Sequence, residues 1–153
     1  WFLDVARKEI NKARSDGSNL CLISLDVDFF KKLNDRYGHD AGDLVLRQLG
    51  AKMKEFFVGQ RYPCRLGGEE FAILLPECGV SGGLEAAEEF RQTLSEMKIN
   101  YHGETLPTVT VSSGIAAFPD HGYEITDLMR AADQALYQAK EAGRDQVVAF
   151  VLK

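Results

Sequence analysis

Four carboxylates in two short stretches have the types and spacing for chemistry. Asp26 and Asp28 close the apolar run Leu20-Cys21-Leu22-Ile23-Ser24-Leu25, and Glu69 and Glu70 follow directly on Gly67-Gly68. Gly-Gly between strand-like segments predicts a tight hairpin, because glycine reaches φ > 0 without a Cβ clash. The glutamates then stand at its tip. Side chains two apart on a strand share a face, which puts Asp26 and Asp28 together near the C-terminal end of theirs. Adjacent acids on a turn are ordinarily just solvated. Two carboxylates closing a buried strand are costly unless a cation or hydrogen-bond donors lie near. If the hairpin lies beside that strand, Asp26 and Glu69 or Glu70 converge around a cation. Oxygen-only ligands favour Mg²⁺ or Mn²⁺, and so few protein ligands leave substrate phosphates to complete the shell. The chemistry this supports is metal-assisted phosphoryl or nucleotidyl transfer.

The elements that must position these acids follow from the apolar periodicity. Residues 1–15 predict a helix with Leu3, Ala6, Ile10 and Ala13 on one face, ended by Asp16-Gly17-Ser18. Leu20 to Asp28 is a strand apolar enough to be covered on both faces. Phe29 to Arg36 is a short helix ended by Tyr37-Gly38. Asp40 or a neighbour caps a longer helix to about Phe57, with Leu46, Leu49, Met53 and Phe56 as its apolar stripe. Arg61 to Leu66 is a strand that Pro63 assigns to an edge, and the Gly67-Gly68 turn leads into Phe71–Leu75. Ser81 caps a helix through Met97. Leu106 to Phe118 is a strand, 119–122 a loop, and Ile125 to Ala139 a helix with Gly143 as its C′ residue. Gln146 to Leu152 is the closing strand. Such an order, with one antiparallel hairpin, predicts an α+β domain with helices packed on a mostly antiparallel sheet.

Composition narrows the function classes. A chain of 153 residues, 45% hydrophobic and 27% charged, suits one ordinary globular domain. A net charge of −5 disfavours broad nucleic-acid binding. No apolar run approaches the ~20 residues of a membrane span. Cys21, Cys64 and Cys78 lack metal-ligand spacing and predict reduced, partly buried thiols in a cytoplasmic setting. The start at Trp1 suggests a part excised from a longer protein, which can itself be membrane-anchored elsewhere.

Five ordered blocks spanning nearly the whole chain resemble the GGDEF domains, or diguanylate cyclases. They are Leu25-Asp26-Val27-Asp28-Phe29-Phe30-Lys31, Asn34-Asp35-Arg36-Tyr37-Gly38-His39-Asp40-Ala41-Gly42-Asp43, Arg65 to Pro76, Val111 to Ala116, and Ala132 to Arg144. The resemblance implies one GGDEF domain over residues 1–153. It also implies a palm-like sheet similar to that of nucleotide cyclases, with a ferredoxin-like core and the Gly67–Glu70 hairpin added. The implied reaction condenses two GTP into cyclic di-GMP and two pyrophosphates, across a dimer of domains governed by an attached sensory or regulatory domain.

Carried over by position, Asp26, Glu69 and the Val27 carbonyl hold the metal, with Glu70 an additional ligand or supporting acid. Glu69, before Glu70, helps to deprotonate the attacking 3′-hydroxyl. Asn34 and Asp43 read guanine, for which an amide and a carboxylate suit the N1–H and N2–H₂ edge. Lys31, Lys140 and Arg144 contact the triphosphate, the backbone of Phe29 and Phe30 closes over it, and Gly67 and Gly68 admit the nucleotide. Taken alone, Lys140 and Arg144 are most simply cations at a helix C-terminus, Asp43 an N-terminal helix acid, and Asn34 a turn cap. Asp28 reads as a structural acid holding nearby backbone, His39 as a structural hydrogen bonder, and His102 and His121 as surface residues.

The segment resembling Asp-x-Leu-Thr-Gly-Leu-x-Asn-Arg that usually precedes the first helix is not in this chain. Val58 and Arg61 replace the Arg and Asp of the family's inhibitory Arg-x-x-Asp motif, so no product inhibition is expected through that site. The alternative reading is a catalytically silent GTP-binding module that regulates an attached domain. A cyclase of mixed base preference is disfavoured by Asp43.

Overall fold

The computed structural model describes residues 1–59 and 61–152; Gln60, between Val58 and Arg61, and Lys153 lie outside the described residues. Helix α1 (Phe2–Asp16) buries Phe2, Ala6, Ile10 and Ala13 and stops at Gly17, whose φ of 71° only glycine adopts freely. Strand β1 (Leu20–Val27) is buried at every position. Its alternation explains this. Leu20 and Leu22 face a core that includes α1 residues, whereas Cys21, Ile23, Leu25 and Val27 face a second core on the opposite side.

Helix α2 (Phe30–Tyr37) follows, with α3 (His39–Phe56) behind it. Strands β2 (Tyr62–Gly67) and β3 (Glu70–Pro76) make the hairpin, and α4 (Val80–Ser95) crosses to the two-stranded ribbon β4 (Asn100–Tyr101) and β5 (Glu104–Thr105). Strand β6 (Val111–Phe118), helix α5 (Ile125–Glu141) and strand β7 (Val147–Ala149) complete the chain. The main sheet has the order β2-β3-β1-β6-β7, antiparallel except for the β6–β7 pair. Helices cover both faces. The β1-α-β2-β3-α4-β6 core has the ferredoxin-like order, and β2, which carries Pro63, is the edge strand as expected. No helix among the described residues is long and apolar enough to cross a membrane. The three cysteines are free, Cys21 buried and the other two half-buried.

Several boundaries differ from the sequence reading. Asp40 and Ser81 are not caps: Gly38 and Gly79 hold the N-cap positions, and both side chains fall inside the first turn. The β-branched stretch from Leu106 is a strand only from Val111, because Leu106 and Val109 are buried as loop anchors instead. The closing strand shrinks to three residues paired with the outer edge of β6. Ribbon β4–β5 was not legible, since a two-residue strand has no period. His121 is half-buried rather than a surface residue, and its Nδ1 accepts the Ala117 N–H at 3.0 Å.

Burial lowers the His121 imidazole below its ordinary value, against a smaller opposing pull from Asp120. A histidine depressed in the folded state contributes stability above its unfolded pKa of about 6.5 and loses it as pH falls through the folded value. Urea titrations in steps below pH 6.5 should therefore show a loss of stability that His121→Gln lacks.

Gly114 fixes the packing of α5 on the sheet. A Cβ there would lie 2.1 Å from the Ala132 carbonyl oxygen and 2.2 Å from the Leu136 nitrogen. Both obstacles are backbone, so neither can rotate away. Gly114→Ala should cost about 3 kcal/mol or more, at the upper end of overpacking substitutions, measured as a lower urea midpoint.

Candidate active site

The C-terminal end of β1 is where the chemistry-bearing side chains gather. Asp26 pairs in register with Glu70 on one side and Ser112 on the other, and the Val27 N–H donates to the Glu69 carbonyl at 3.3 Å. The hairpin therefore lies directly beside the strand, as expected. Asp26 is 5% exposed. Its Oδ2 forms an ion pair with the Lys140 ammonium from the last turn of α5, while its Oδ1 is buried with no partner. Burial pushes the Asp26 carboxyl above the usual carboxylate range; Lys140 pulls it back, and the charges of Glu69 and Asp28 push it up again. Glu69 is half-buried and acts on Asp26, whereas Glu70 is exposed. The two glutamates are thus not equivalent.

Asp28 has a different task. Its Oδ2 accepts the Thr110 hydroxyl at 2.7 Å and the Asp145 N–H at 3.0 Å, and its Oδ1 accepts the Ser112 hydroxyl at 2.6 Å. Asp28 ties the start of β6 and the turn after α5 to the end of β1. That turn is unusual: Arg144 and Asp145 have φ of 63° and 49°, a left-handed conformation that side-chain-bearing residues adopt at a cost. The Asp145 side chain accepts from Arg91 of α4 at 2.8 Å. The structural reading of Asp28 holds. Thr110, Ser112, Asp145 and Arg91 were not singled out, because each is an ordinary loop or helix residue until the sheet brings it to Asp28 or its neighbour.

Phe29 is also left-handed (φ 56°) and 53% exposed. Lys32 and Arg144 each place their charge 4.9 Å from its ring centroid. The ring thus supports two cations, a role beyond the backbone contact expected of it. Phe30 is half-buried and packs on the core, and Lys31 is exposed.

The Asn34 amide points from α2 to α3. Its Oδ1 is buried without a partner, and a Cβ on Gly42 would meet that oxygen at 1.8 Å. Gly42 therefore leaves the space in which Asn34 stands, a packing role that the motif alone does not reveal. Asp43, the next residue, is exposed and lines an open cavity with Arg47, Arg65 and His102. His39, at the first position of α3, is exposed and makes no side-chain hydrogen bond among the described residues, so the structural role expected of it is not seen. At the hairpin tip, Gly68 is left-handed (φ 52°) and its carbonyl accepts from Arg65 Nε at 2.9 Å. Gly67 and Gly68 are both exposed, which leaves the hairpin backbone open to a ligand.

If Asn34 reads a base, Gly42→Ala should raise the nucleotide KM at least tenfold, an estimate from the ~1–3 kcal/mol of a displaced buried polar group. Far-UV circular dichroism should remain native. Steady-state kinetics and nucleotide titration check this.

No cluster of three or more His, Cys, Asp or Glu side chains suited to a metal occurs among the described residues. The donor set at Asp26 nevertheless fits a divalent cation. A buried carboxylate oxygen lacks a partner, a second carboxylate acts on it, and the chain carbonyls at the strand end are oxygen donors. Two carboxylates leave most of such a shell to other oxygens.

The family model described as "Diguanylate cyclase, GGDEF domain" matches residues 1–146. Diguanylate cyclase DgcP of Pseudomonas aeruginosa is 38% identical over 141 residues, 92% of this chain and 21% of its own length. Among solved structures, the GGDEF domain of DgcB from Caulobacter crescentus in complex with c-di-GMP superposes with a TM-score of 0.90. The two are 35% identical over 97% of this chain and 87% of that one. The active GGEEF domain of a diguanylate cyclase from Vibrio cholerae gives 0.90, 31% identity, and coverage of 99% and 95%. The chain spans only 21–37% of the length of the curated relatives it matches.

Proposed function

The chain belongs to the diguanylate cyclase GGDEF-domain family, and from that premise we propose that it condenses two GTP into cyclic di-GMP with release of two pyrophosphates. The observation that carries the proposal is the buried Asp26 carboxylate, one oxygen unpartnered, beside Glu69 and within reach of the Lys140 ammonium. Asp26, Glu69 and the Val27 carbonyl would hold Mg²⁺ or Mn²⁺, with Glu70 in support. When bound, the cation supplies Lewis-acid stabilisation of charge on the phosphate oxygens.

The remaining roles belong to the chain. Lys31, Lys140 and Arg144 bind the triphosphate, aided by the backbone of Phe29 and Phe30, and the exposed Gly67-Gly68 backbone lets the nucleotide approach. Asn34 and Asp43 orient guanine. The 3′-oxygen of one GTP forms a bond to the α-phosphorus of the other as the bond from that phosphorus to the pyrophosphate breaks. Glu69 is the acceptor best placed to take the 3′-hydroxyl proton, being the less exposed of the pair and the one acting on Asp26. The same exchange, repeated in the opposite sense, closes the ring.

One site holds one GTP and the product contains two, so a second copy must face the first. We take the 153 residues as a single domain of a longer signalling protein whose attached regulatory part sets that pairing. GTP as substrate places the domain in the cytoplasm. The test is the effect of Glu69→Ala on a dimerised chain. Loss of cyclic di-GMP synthesis with GTP binding retained supports the cyclase. Synthesis that survives the substitution refutes the role given to Glu69, and a wild type that binds GTP without turnover points to a silent regulatory module.

A further inference from the structure

The Lys140–Asp26 pair has a consequence for the order in which ligands bind. Asp28 is committed to three hydrogen bonds, and Lys140 is the one cation bonded to Asp26 among the described residues. The Lys140 side chain is 33% exposed against 7% for Asp26. Its helix is held on the sheet by the close approach at Gly114 and by the Ser24 hydroxyl, which donates to Asp133 at 2.8 Å. The backbone of α5 is therefore fixed, while a flexible four-carbon stem leaves the ammonium free to swing outward. A divalent cation arriving at Asp26 meets a positive charge already bonded to the carboxylate it needs. Like charges that close, away from bulk water, repel strongly.

We propose that Lys140 is a resident counter-ion of Asp26 that excludes the divalent cation until a triphosphate draws the ammonium away, so that cation and nucleotide bind cooperatively. The inference rests on the reading of Asp26 as a cation ligand. It goes beyond a phosphate contact because it gives Lys140 effects of opposite sign on the two ligands. Removing the ammonium weakens nucleotide binding but strengthens binding of the cation alone. Linkage requires that the cooperativity between the two fall by the same factor, whichever ligand is added first.

The experiment is titration of the nucleotide-free chain with Mn²⁺, free ion being read by electron paramagnetic resonance. Wild type, Lys140→Met, Lys140→Gln and Asp26→Asn are compared, each with and without a non-hydrolysable GTP analogue. Both Lys140 variants should bind Mn²⁺ alone about tenfold more tightly than wild type, within the usual 5–150-fold range of site coupling. Their enhancement by the analogue should shrink correspondingly. Unchanged or weaker Mn²⁺ binding in folded Lys140 variants overturns the proposal.

Reductive methylation of the wild type, read by mass spectrometry, tests the same exchange without a substitution. Lys140 should react faster at Mn²⁺ concentrations high enough to occupy Asp26 without nucleotide, and no change in its reactivity at Mn²⁺ saturation contradicts the proposal. Asp26→Asn separates the two levels. If it keeps the wild-type Mn²⁺ site, the cation-site reading itself fails. If it loses that site while the Lys140 variants gain nothing, only the counter-ion role fails.

Discussion

Asp26→Asn is expected to reduce cyclic di-GMP synthesis by about a thousandfold or more while leaving the domain as stable as before, or more so. The loss corresponds to roughly 4 kcal/mol of transition-state stabilisation at 1.36 kcal/mol per decade, a reasonable share for the cation ligand proposed at Asp26. The stability half of the prediction comes from burial. The folded chain raises the Asp26 pKa, first through desolvation and further through Glu69 and Asp28, with Lys140 opposing. A carboxyl whose folded pKa exceeds its unfolded value disfavours the folded state at neutral pH, and that penalty fades as pH falls and the group takes up its proton. The amide is neutral and nearly isosteric, so it avoids the penalty. Lys140, partly exposed, can return to water. Product formation and urea midpoints at pH 7.5, measured together, check both halves. Asp26→Asn that unfolds at lower urea than wild type would show that the ion pair outweighs the desolvation.

Asp28→Ala has the opposite character and the largest expected effect on the fold. Removing this carboxylate strands the Thr110 and Ser112 hydroxyls and the Asp145 N–H at once. Truncating one partner of a buried, charge-assisted network typically costs about 3–5 kcal/mol. The turn carrying Arg144 and Asp145 has a left-handed backbone, and Asp28 is one of the few groups that hold it there. Activity should therefore fall together with stability, and, given the triphosphate contact proposed for Arg144, GTP affinity should fall as its turn loses its hold. Asp28→Asn, which keeps acceptors but no charge, should recover part of both. Urea unfolding and nucleotide titration of the pair measure this. Native stability in Asp28→Ala would remove Asp28 from its structural role.

The contrast between these two acids marks how far the sequence could be read. Spacing put Asp26 and Asp28 at the end of one strand, and the implied sheet allowed the hairpin to lie beside Asp26, which the β1–β3 register bears out; β1 itself ends at Val27, one residue short of Asp28. Spacing did not say which carboxylate is committed to hydrogen bonds, because the donors are Thr110 just before β6, Ser112 within it and the Asp145 N–H in the turn after α5, 82, 84 and 117 residues away. Periodicity found the long helices, whose apolar faces are long enough to show a period, while a continuous apolar run marked β1 and Gly67-Gly68 marked the hairpin. It missed ribbon β4–β5 and overextended the strand before Val111, since buried β-branched residues in a loop look the same in sequence as a strand. The helix starts at α3 and α4 went to glycines rather than to the side-chain caps expected.

Glycines with a packing reason were the least legible. Gly42 and Gly114 matter for what a Cβ would strike, namely the Asn34 amide and the backbone of α5; the first neighbour lies in the same motif but on another helix, and the second comes from a separate element, so sequence pattern shows neither contact. Lys140 showed the same limit. Its position marked it as a phosphate contact by resemblance, while its partner in the structure is the carboxylate assigned to the metal.

The central claim is that this chain, paired with a second copy, makes cyclic di-GMP from GTP. The most direct test is to fuse it to a two-stranded parallel coiled coil, supply GTP with Mg²⁺, and quantify product by chromatography beside the Asp26→Asn chain in the same fusion. The account predicts cyclic di-GMP and two pyrophosphates per product from the wild-type dimer and almost none from the variant. A folded wild-type dimer that binds GTP yet forms no product would contradict it.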